Sequence, residues 1–243
     1  MTKRSWVGLG ALVVGLGCAG TLMPAAAQAP GAPPADNASD PLPSYKPPLR
    51  GAPGGRIGGA SRGSESASMP MIEPLAPDGV AGQTADPSPI LYYFISRPPS
   101  HPLRLTIRSP NVAQLVADAT IPAPRAAGIQ AIRLSDYRVQ LQLGTTYVWS
   151  VSLVLNPNMP SQNLVASATI VRATPDPSVD AAARGAPPRK RAAILAGAGF
   201  WYDAVAAAVE AGNTDRHAAL DALLEQVGLR DAAAADRAAA GGR

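Results

Sequence analysis

The hydrophobic pattern is strongest between Pro74 and Arg172, where short apolar runs alternate with turn residues. LRLTIRS at 103–109 alternates strictly, so that its leucines and isoleucine would face one side of a sheet and its arginines the other. ILYYFI at 90–95 is apolar on both faces, as in a central strand. Further runs lie at 115–121, 129–134, 146–155 and 163–172. About seven short strands without a helix-length segment between them predict an immunoglobulin-like antiparallel β-sandwich.

One turn in this region carries a more specific signal. LQLGTTY at 141–147 places a leucine six residues before Tyr147, with a Gly-Thr turn between them. This spacing resembles a tyrosine corner, in which the hydroxyl bonds back to the backbone a few residues upstream. Trp149 shares the face of Tyr147 and Val151, which predicts a core position; ligand stacking is the alternative.

From Pro187 the apolar spacing changes to a helical one. Leu195, Tyr202, Val205 and Val209 recur at helical intervals before Gly212. A second apolar stripe runs from Asn213 or Thr214 to about Gly228. The pattern predicts a C-terminal α-helical hairpin over 191–229, packed against the sandwich or against a partner.

The N-terminus has the features of an export signal. Lys3 and Arg4 precede an uncharged run that ends at alanines 25–27, which predicts a signal peptide at 1–27 cleaved after Ala27, and hence a periplasmic or secreted protein. The alternatives are an uncleaved anchor helix and lipidation at Cys18. The membrane would be involved only through the export signal.

The rest of the chain divides by composition. Residues 28–54 contain eight prolines and predict a disordered linker that leads into the folded part. We expect the sandwich, with its Gly/Arg-rich leader, at 55–173, a second linker at 174–190 and a disordered tail at 230–243.

Charge and residue content restrict the chemistry. Loss of Lys3 and Arg4 lowers the formal charge from +4 to +2, which argues against nucleic-acid binding. The only cysteine leaves with the signal, and no metal or cofactor motif is present. His217 and Asp221 stand four residues apart and would be the candidate catalytic dyad, but a solvated helix face explains them as well. The sequence therefore predicts a protein that is not an enzyme.

The segment YKPPLRGAPGGRIGGASRG at 45–63 is rich in glycine and basic residues. It lacks the lysine, the preceding strand and the following helix of a phosphate-binding loop. We interpret it as an irregular segment lying across the sandwich, in which Arg50, Arg56 and Arg62 pair with backbone carbonyls or carboxylates.

Arginines dominate the charge of the predicted strands. The interval 88–172 has seven arginines, no lysine and only two carboxylates, Asp118 and Asp136. Four of the arginines fall on polar faces and could form a patch for an acidic protein surface or an anionic glycan: Arg104, Arg108, Arg133 and Arg138. Scattered surface charge is the alternative.

The ordered series of motifs resembles the exported bacterial family known as domain of unknown function 928. It comprises the 45–63 leader, PILYYF, LGTTYVWSVSL, AGFWYDAVAAAVEAG and LLEQVGL. The resemblance makes the leader a family signature, carried by Arg50, Gly51, Gly54, Arg56, Arg62 and Gly63. Ser64 and Leu155 stand where other members often have cysteines, so a bridge there is missing.

The same resemblance assigns a GxWYD element to Gly199, Trp201, Tyr202 and Asp203. Trp201 and Tyr202 would be either the anchor of the helices on the sandwich or an exposed partner site. We expect a non-enzymatic extracytoplasmic interaction module, an adaptor or sensor accessory for an envelope protein, without a cofactor. Binding of anionic glycan or peptidoglycan through the arginine face is the alternative.

Overall fold

The computed structural model describes residues 41–48, 53–59, 69–109 and 115–241. The predicted signal peptide and the signature residues Arg50, Gly51, Arg62 and Gly63 lie outside these ranges. The described chain forms two mainly antiparallel β-sheets followed by five helices. None of the helices in the described part combines the length and apolar character needed to cross a membrane.

Six strands form what we call the large sheet, in the order β1-β9-β8-β5-β6 with β3 beside β9. Their bounds are β1 Arg56–Ile57, β3 Gly82–Thr84, β5 Leu103–Arg108, β6 Leu115–Ile121, β8 Thr146–Leu153 and β9 Leu164–Arg172. The alternating run at 103–109 is β5, as predicted, and its leucines and Ile107 are fully buried. β3 pairs with β9 in parallel, so the prediction of a purely antiparallel fold is wrong at this pair.

The small sheet has the order β2-β4-β7. It consists of β2 (Ile72–Pro74), β4 (Ile90–Ile95) and β7 (Gly128–Arg133). β4 lies in the centre, which confirms the prediction for ILYYFI. Because both of its faces are covered, five of its six residues are buried.

The predicted helical hairpin is instead an array of five helices: α1 Pro177–Arg184, α2 Pro188–Gly197, α3 Trp201–Glu210, α4 Asn213–Gln226 and α5 Arg230–Gly241. The first helix of the predicted hairpin is interrupted at Gly199, which separates α2 from α3. The φ of Gly199 is +88°, in the left-handed region that glycine tolerates best. α1 occupies the predicted linker, and the side chain of its N-cap residue, Asp176, accepts a hydrogen bond from the Ser178 amide. α5 occupies the predicted disordered tail.

Both sheets and the helices share one hydrophobic core. Leu91 and Ile95 of the small sheet, Leu105 and Trp149 of the large sheet and Trp201 of α3 are all buried in it. The tyrosine corner is confirmed, since the backbone N–H of Gln142 donates to the Tyr147 hydroxyl at 3.1 Å. The core position predicted for Trp149 is also confirmed.

Candidate functional site

Trp201 and Tyr202, proposed from the sequence as a candidate interaction site, are completely buried. The indole N–H of Trp201 donates to the carbonyl of Leu75 at 2.8 Å, and its ring meets Tyr45 edge-on with centroids 4.9 Å apart. The alternative prediction of an exposed partner site at these residues is therefore wrong. They anchor α3 to the sheets.

Tyr202 makes the central polar contact of this anchor. Its hydroxyl accepts a hydrogen bond from the Trp149 indole N–H at 2.9 Å and donates to the Thr169 carbonyl at 3.2 Å. Burial and the loss of water raise the pKa of this hydroxyl. A Cβ at Gly82 would lie 2.6 Å from the Tyr202 ring, so the glycine allows the ring to reach its place.

Asp203, the last residue of the GxWYD element, holds α3 to the end of β3. Its carboxylate accepts hydrogen bonds from the Ala85 amide, at 3.0 Å, and from Thr84. Burial raises its pKa to about 6, against the lowering effect of these donors.

Gly199 lets the N-terminal segment 41–48 pass close to the helices. A Cβ here would lie 3.2 Å from the Lys46 carbonyl oxygen. The Lys46 amide of this segment donates to the Ala196 carbonyl. The side chain of Gln226 also holds the segment, since its Oε1 accepts from the Tyr45 amide and its Nε2 donates to the Pro43 carbonyl. Each residue of the GxWYD element thus has a structural task.

The described part of the Gly/Arg-rich leader is structural as well. Arg56 donates to the carbonyls of Val227 (2.8 Å) and Ala76 (3.1 Å) and pairs with Glu73, which confirms the predicted pairing with carbonyls and carboxylates. A Cβ at Gly54 would lie 2.8 Å from the Thr169 side chain, so this segment lies directly on the large sheet.

The best candidate for a functional surface is the outer face of the large sheet, opposite the core. Strand pairing arranges its side chains in three rows. These are Ile57-Ser167-Ser150-Thr106-Asp118, then Val165-Ser152-Arg104-Thr120, then Thr169-Val148-Arg108-Leu115. The face therefore combines six hydroxyl side chains with four apolar ones, two arginines and one carboxylate.

Three large apolar side chains of the outer face are exposed to solvent. Ile57 is 68% exposed, Val165 45% and Leu115 42%. They come from β1, β9 and β6, so the apolar exposure extends across the width of the sheet. Leu115 and Val165 border the same shallow pocket, and apolar groups gathered on one surface are typical of a contact with another molecule.

The four predicted arginines do not lie on one sheet. Arg104 and Arg108 belong to β5 on the outer face, whereas Arg133 ends β7 of the small sheet and Arg138 follows it with a φ of +55°. Arg104 is paired with Asp118 through two hydrogen bonds of 2.5 Å. Arg108 is exposed and makes no hydrogen bond or ion pair with another described residue.

A pocket of about 340 Å³ opens where the leader crosses the outer face. Gly54, Gly55, Arg56 and Ile57 border it on the leader side, and Asp78 joins them from the turn after β2. The sheet contributes Arg108, Val148, Ser167 and Thr169. The Gly/Arg-rich leader therefore meets Arg108, one of the arginines singled out from the sequence, at this pocket.

The candidate catalytic dyad is not formed. His217 contacts Asp236 of α5, and Asp221 pairs instead with Arg237 at 3.1 Å. Within the described residues, no group of histidine, cysteine and acidic side chains is arranged to hold a metal ion.

Sequence reasoning missed the contributions of Ile57 and Asp78 to this surface. Ile57 lies in a strand of only two residues, too short for alternation to be visible. Asp78 stands in a turn whose position depends on the tertiary fold.

Comparison with known proteins agrees with the resemblance seen in the sequence. No curated protein and no solved structure matches the chain. The family model described as Domain of Unknown Function (DUF928) matches residues 57–237, which include the outer face, the tyrosine corner and the GxWYD anchor. The chain therefore belongs to the DUF928 family.

Proposed function

We propose that this chain is an extracytoplasmic protein-interaction module, an adaptor or sensor accessory of the cell envelope, that binds an exported partner protein through the outer face of the large sheet. One observation carries the proposal: Ile57, Val165 and Leu115 expose apolar surface on a single face, beside Arg108, which has no partner among the described residues. Protein contacts commonly combine an apolar centre with a polar rim, and arginine is enriched in them.

The charges of the face favour a protein over an anionic polymer. Arg104 is already neutralised by Asp118, which leaves Arg108 as the one unpaired cation among the described residues of this face. A polyanion would need several such cations, because its affinity comes from many weak ion pairs. A partner protein needs only one acidic group opposite Arg108 and an apolar surface around it.

Two sequence-based expectations form part of the proposal. Export rests on the signal-like residues 1–27. An immunoglobulin-like sandwich is supported by the common core of two sheets and by the tyrosine corner at Tyr147.

The test compares two variants of the tagged mature chain, captured from crosslinked cells. Ile57→Asp with Val165→Asp places two charges on the outer face. Leu143→Asp is the matched control, since Leu143 is 58% exposed but belongs to none of the three rows. We expect one exported protein to be enriched with wild type and control, and to be lost with the face variant.

The enriched protein must then bind directly. With both proteins purified, the face variant should raise the Kd at least tenfold. This difference in Kd should be nearly the same at low and at high salt. Equal Kd values for wild type and face variant would contradict the proposal. Binding that survives the face variant, falls steeply with salt and disappears with Arg104→Glu and Arg108→Glu would favour the glycan alternative.

A further inference from the structure

We propose that the pocket between the leader and the outer face receives the carboxyl-terminal end of a peptide chain. The inference rests on the proposed function, since it states which group the partner presents to the face. Three features of the pocket support it: the close backbone packing at Gly54 and Gly55, the guanidinium of Arg108 and the carboxylate of Asp78.

Close backbone packing shapes the pocket. A Cβ at Gly55 would lie 2.9 Å from the Gly79 nitrogen and 3.0 Å from the Asp78 Oδ1 atom, and one at Gly54 would strike Thr169. Any side chain at these two positions would therefore have to displace the leader or the 78–79 turn. The glycines keep the leader close to the sheet and to this turn, and the pocket of about 340 Å³ lies among these elements.

The cation of the pocket is available. Of the two arginines that line it, Arg56 is occupied by two carbonyls and Glu73, whereas Arg108 has no partner among the described residues. A guanidinium matches the planar fork of a carboxylate and can donate two parallel hydrogen bonds to it. The hydroxyls of Ser167 and Thr169 line the same pocket.

Asp78 favours a peptide carboxyl terminus over an inorganic anion as the ligand of the pocket. Its Oδ1 accepts a hydrogen bond from the Gly79 amide at 2.9 Å, and its Oδ2 has no hydrogen bond within the described part of the chain. Any anion held by Arg108 is repelled by this carboxylate, and a sulfate has no donor group that could offset the repulsion. A peptide end carries an N–H beside its carboxylate, which can donate to Asp78, and a terminal side chain that can contact Val148 and Ile57.

The probe is the dipeptide N-acetyl-Ala-Val with a free carboxylate, titrated into the isotope-labelled mature chain and followed by amide chemical shifts. We expect millimolar binding with shifts at residues 54–57, 78–79 and 148. The C-terminal amide of the same dipeptide and sodium sulfate should bind at least tenfold more weakly.

Three variants make the test specific to the pocket. Arg108→Gln should weaken dipeptide binding at least tenfold, and Asp78→Asn should weaken it about threefold without weakening sulfate. The exposed Arg133→Gln on the small sheet should change nothing. Full dipeptide affinity in Arg108→Gln, or equal affinity for the free acid and the amide, would overturn the inference.

The two proposals can fail separately. Loss of the partner with the Ile57 and Val165 variant, combined with no dipeptide binding, would retain the proposed function and reject the carboxylate pocket. Arg108-dependent dipeptide binding in a chain that captures no partner would reject the protein-interaction role and retain the pocket.

Discussion

At the scale of single residues, the GxWYD element shows how polar groups can fix the position of a helix in an apolar core. The Tyr202 hydroxyl satisfies two buried groups, the Trp149 indole N–H and the Thr169 carbonyl, that would otherwise lie unpaired. An unpaired buried polar group costs about 1–3 kcal/mol, so these contacts are more specific than apolar packing alone. They determine which turn of α3 meets which strand.

Asp203 makes stability depend on pH in a predictable direction. Its pKa rises from 3.8 to about 6 on folding because burial disfavours its charged form. Between these values the folded state binds the proton more tightly than the unfolded state does. The contribution of Asp203 to the free energy of unfolding is therefore full below pH 4 and is lost as the pH rises to 6, by up to about 3 kcal/mol.

Asp203→Asn should remove this dependence, since the amide oxygen still accepts from Ala85 and carries no charge. Urea unfolding of wild type and variant at pH 4, 5, 6 and 7 measures the difference. Asp136→Asn, at an exposed carboxylate, should follow the wild-type curve. Identical pH profiles for wild type and Asp203→Asn would contradict the assignment.

At the scale of elements, strands were easier to predict than helices, for a physical reason. Strands such as β5 and β8 carry a period of two over six or more residues, which few other structures produce. The apolar spacing of Leu195 and Tyr202 continues across the break at Gly199, so it does not reveal that the helix stops. The alanine-rich segment after Arg230 has no apolar stripe of large residues, and only tertiary contacts show it to be α5.

The outer face illustrates the same limit. Alternation predicted that Arg104 and Arg108 point away from the core, but it could not assign Arg133 to a different sheet. Sheet order depends on contacts distant in sequence, which a local pattern does not contain.

The attachment of α5 should depend on Asp236. This residue is 5% exposed and pairs with Arg216 at 3.3 Å and with His217, both on α4. Asp236→Ala would leave the partly buried guanidinium of Arg216 without its acceptor, at a cost of about 2 kcal/mol. We expect hydrogen exchange at the α5 amides to accelerate at least tenfold.

Asp180→Ala is the control for this change. It removes an exposed pair with Arg184 within α1, which should cost less than about 1 kcal/mol and leave α5 exchange unchanged. Equal exchange in α5 for wild type and Asp236→Ala would show that apolar contacts alone hold the helix.

At the scale of the whole molecule, sheets and helices depend on one another. The helices supply Trp201, Tyr202, Leu220 and Leu223 to the core that the strands build, and the leader joins both through the contact of Arg56 with Val227. Without the helices, Trp149 would lose its hydrogen-bond acceptor. The sheets are therefore an incomplete folding unit, although their strands are continuous in sequence.

We predict that a fragment ending at Ala173 does not fold stably, whereas a chain from Gln28 to Arg243 unfolds in one transition. Burial of a large aromatic or aliphatic side chain is worth about 1.5–3 kcal/mol, so losing the helical side of the core removes more free energy than a domain of this size has in reserve. Far-UV circular dichroism follows mainly the helices, while tryptophan fluorescence reports Trp149 and Trp201. For the 28–243 chain we expect the two probes to give coincident urea curves. We expect its dispersed NMR signals to be missing from the spectrum of the fragment. A fragment with a cooperative transition of its own would instead show that the sheets form an independent domain on which the helices merely dock.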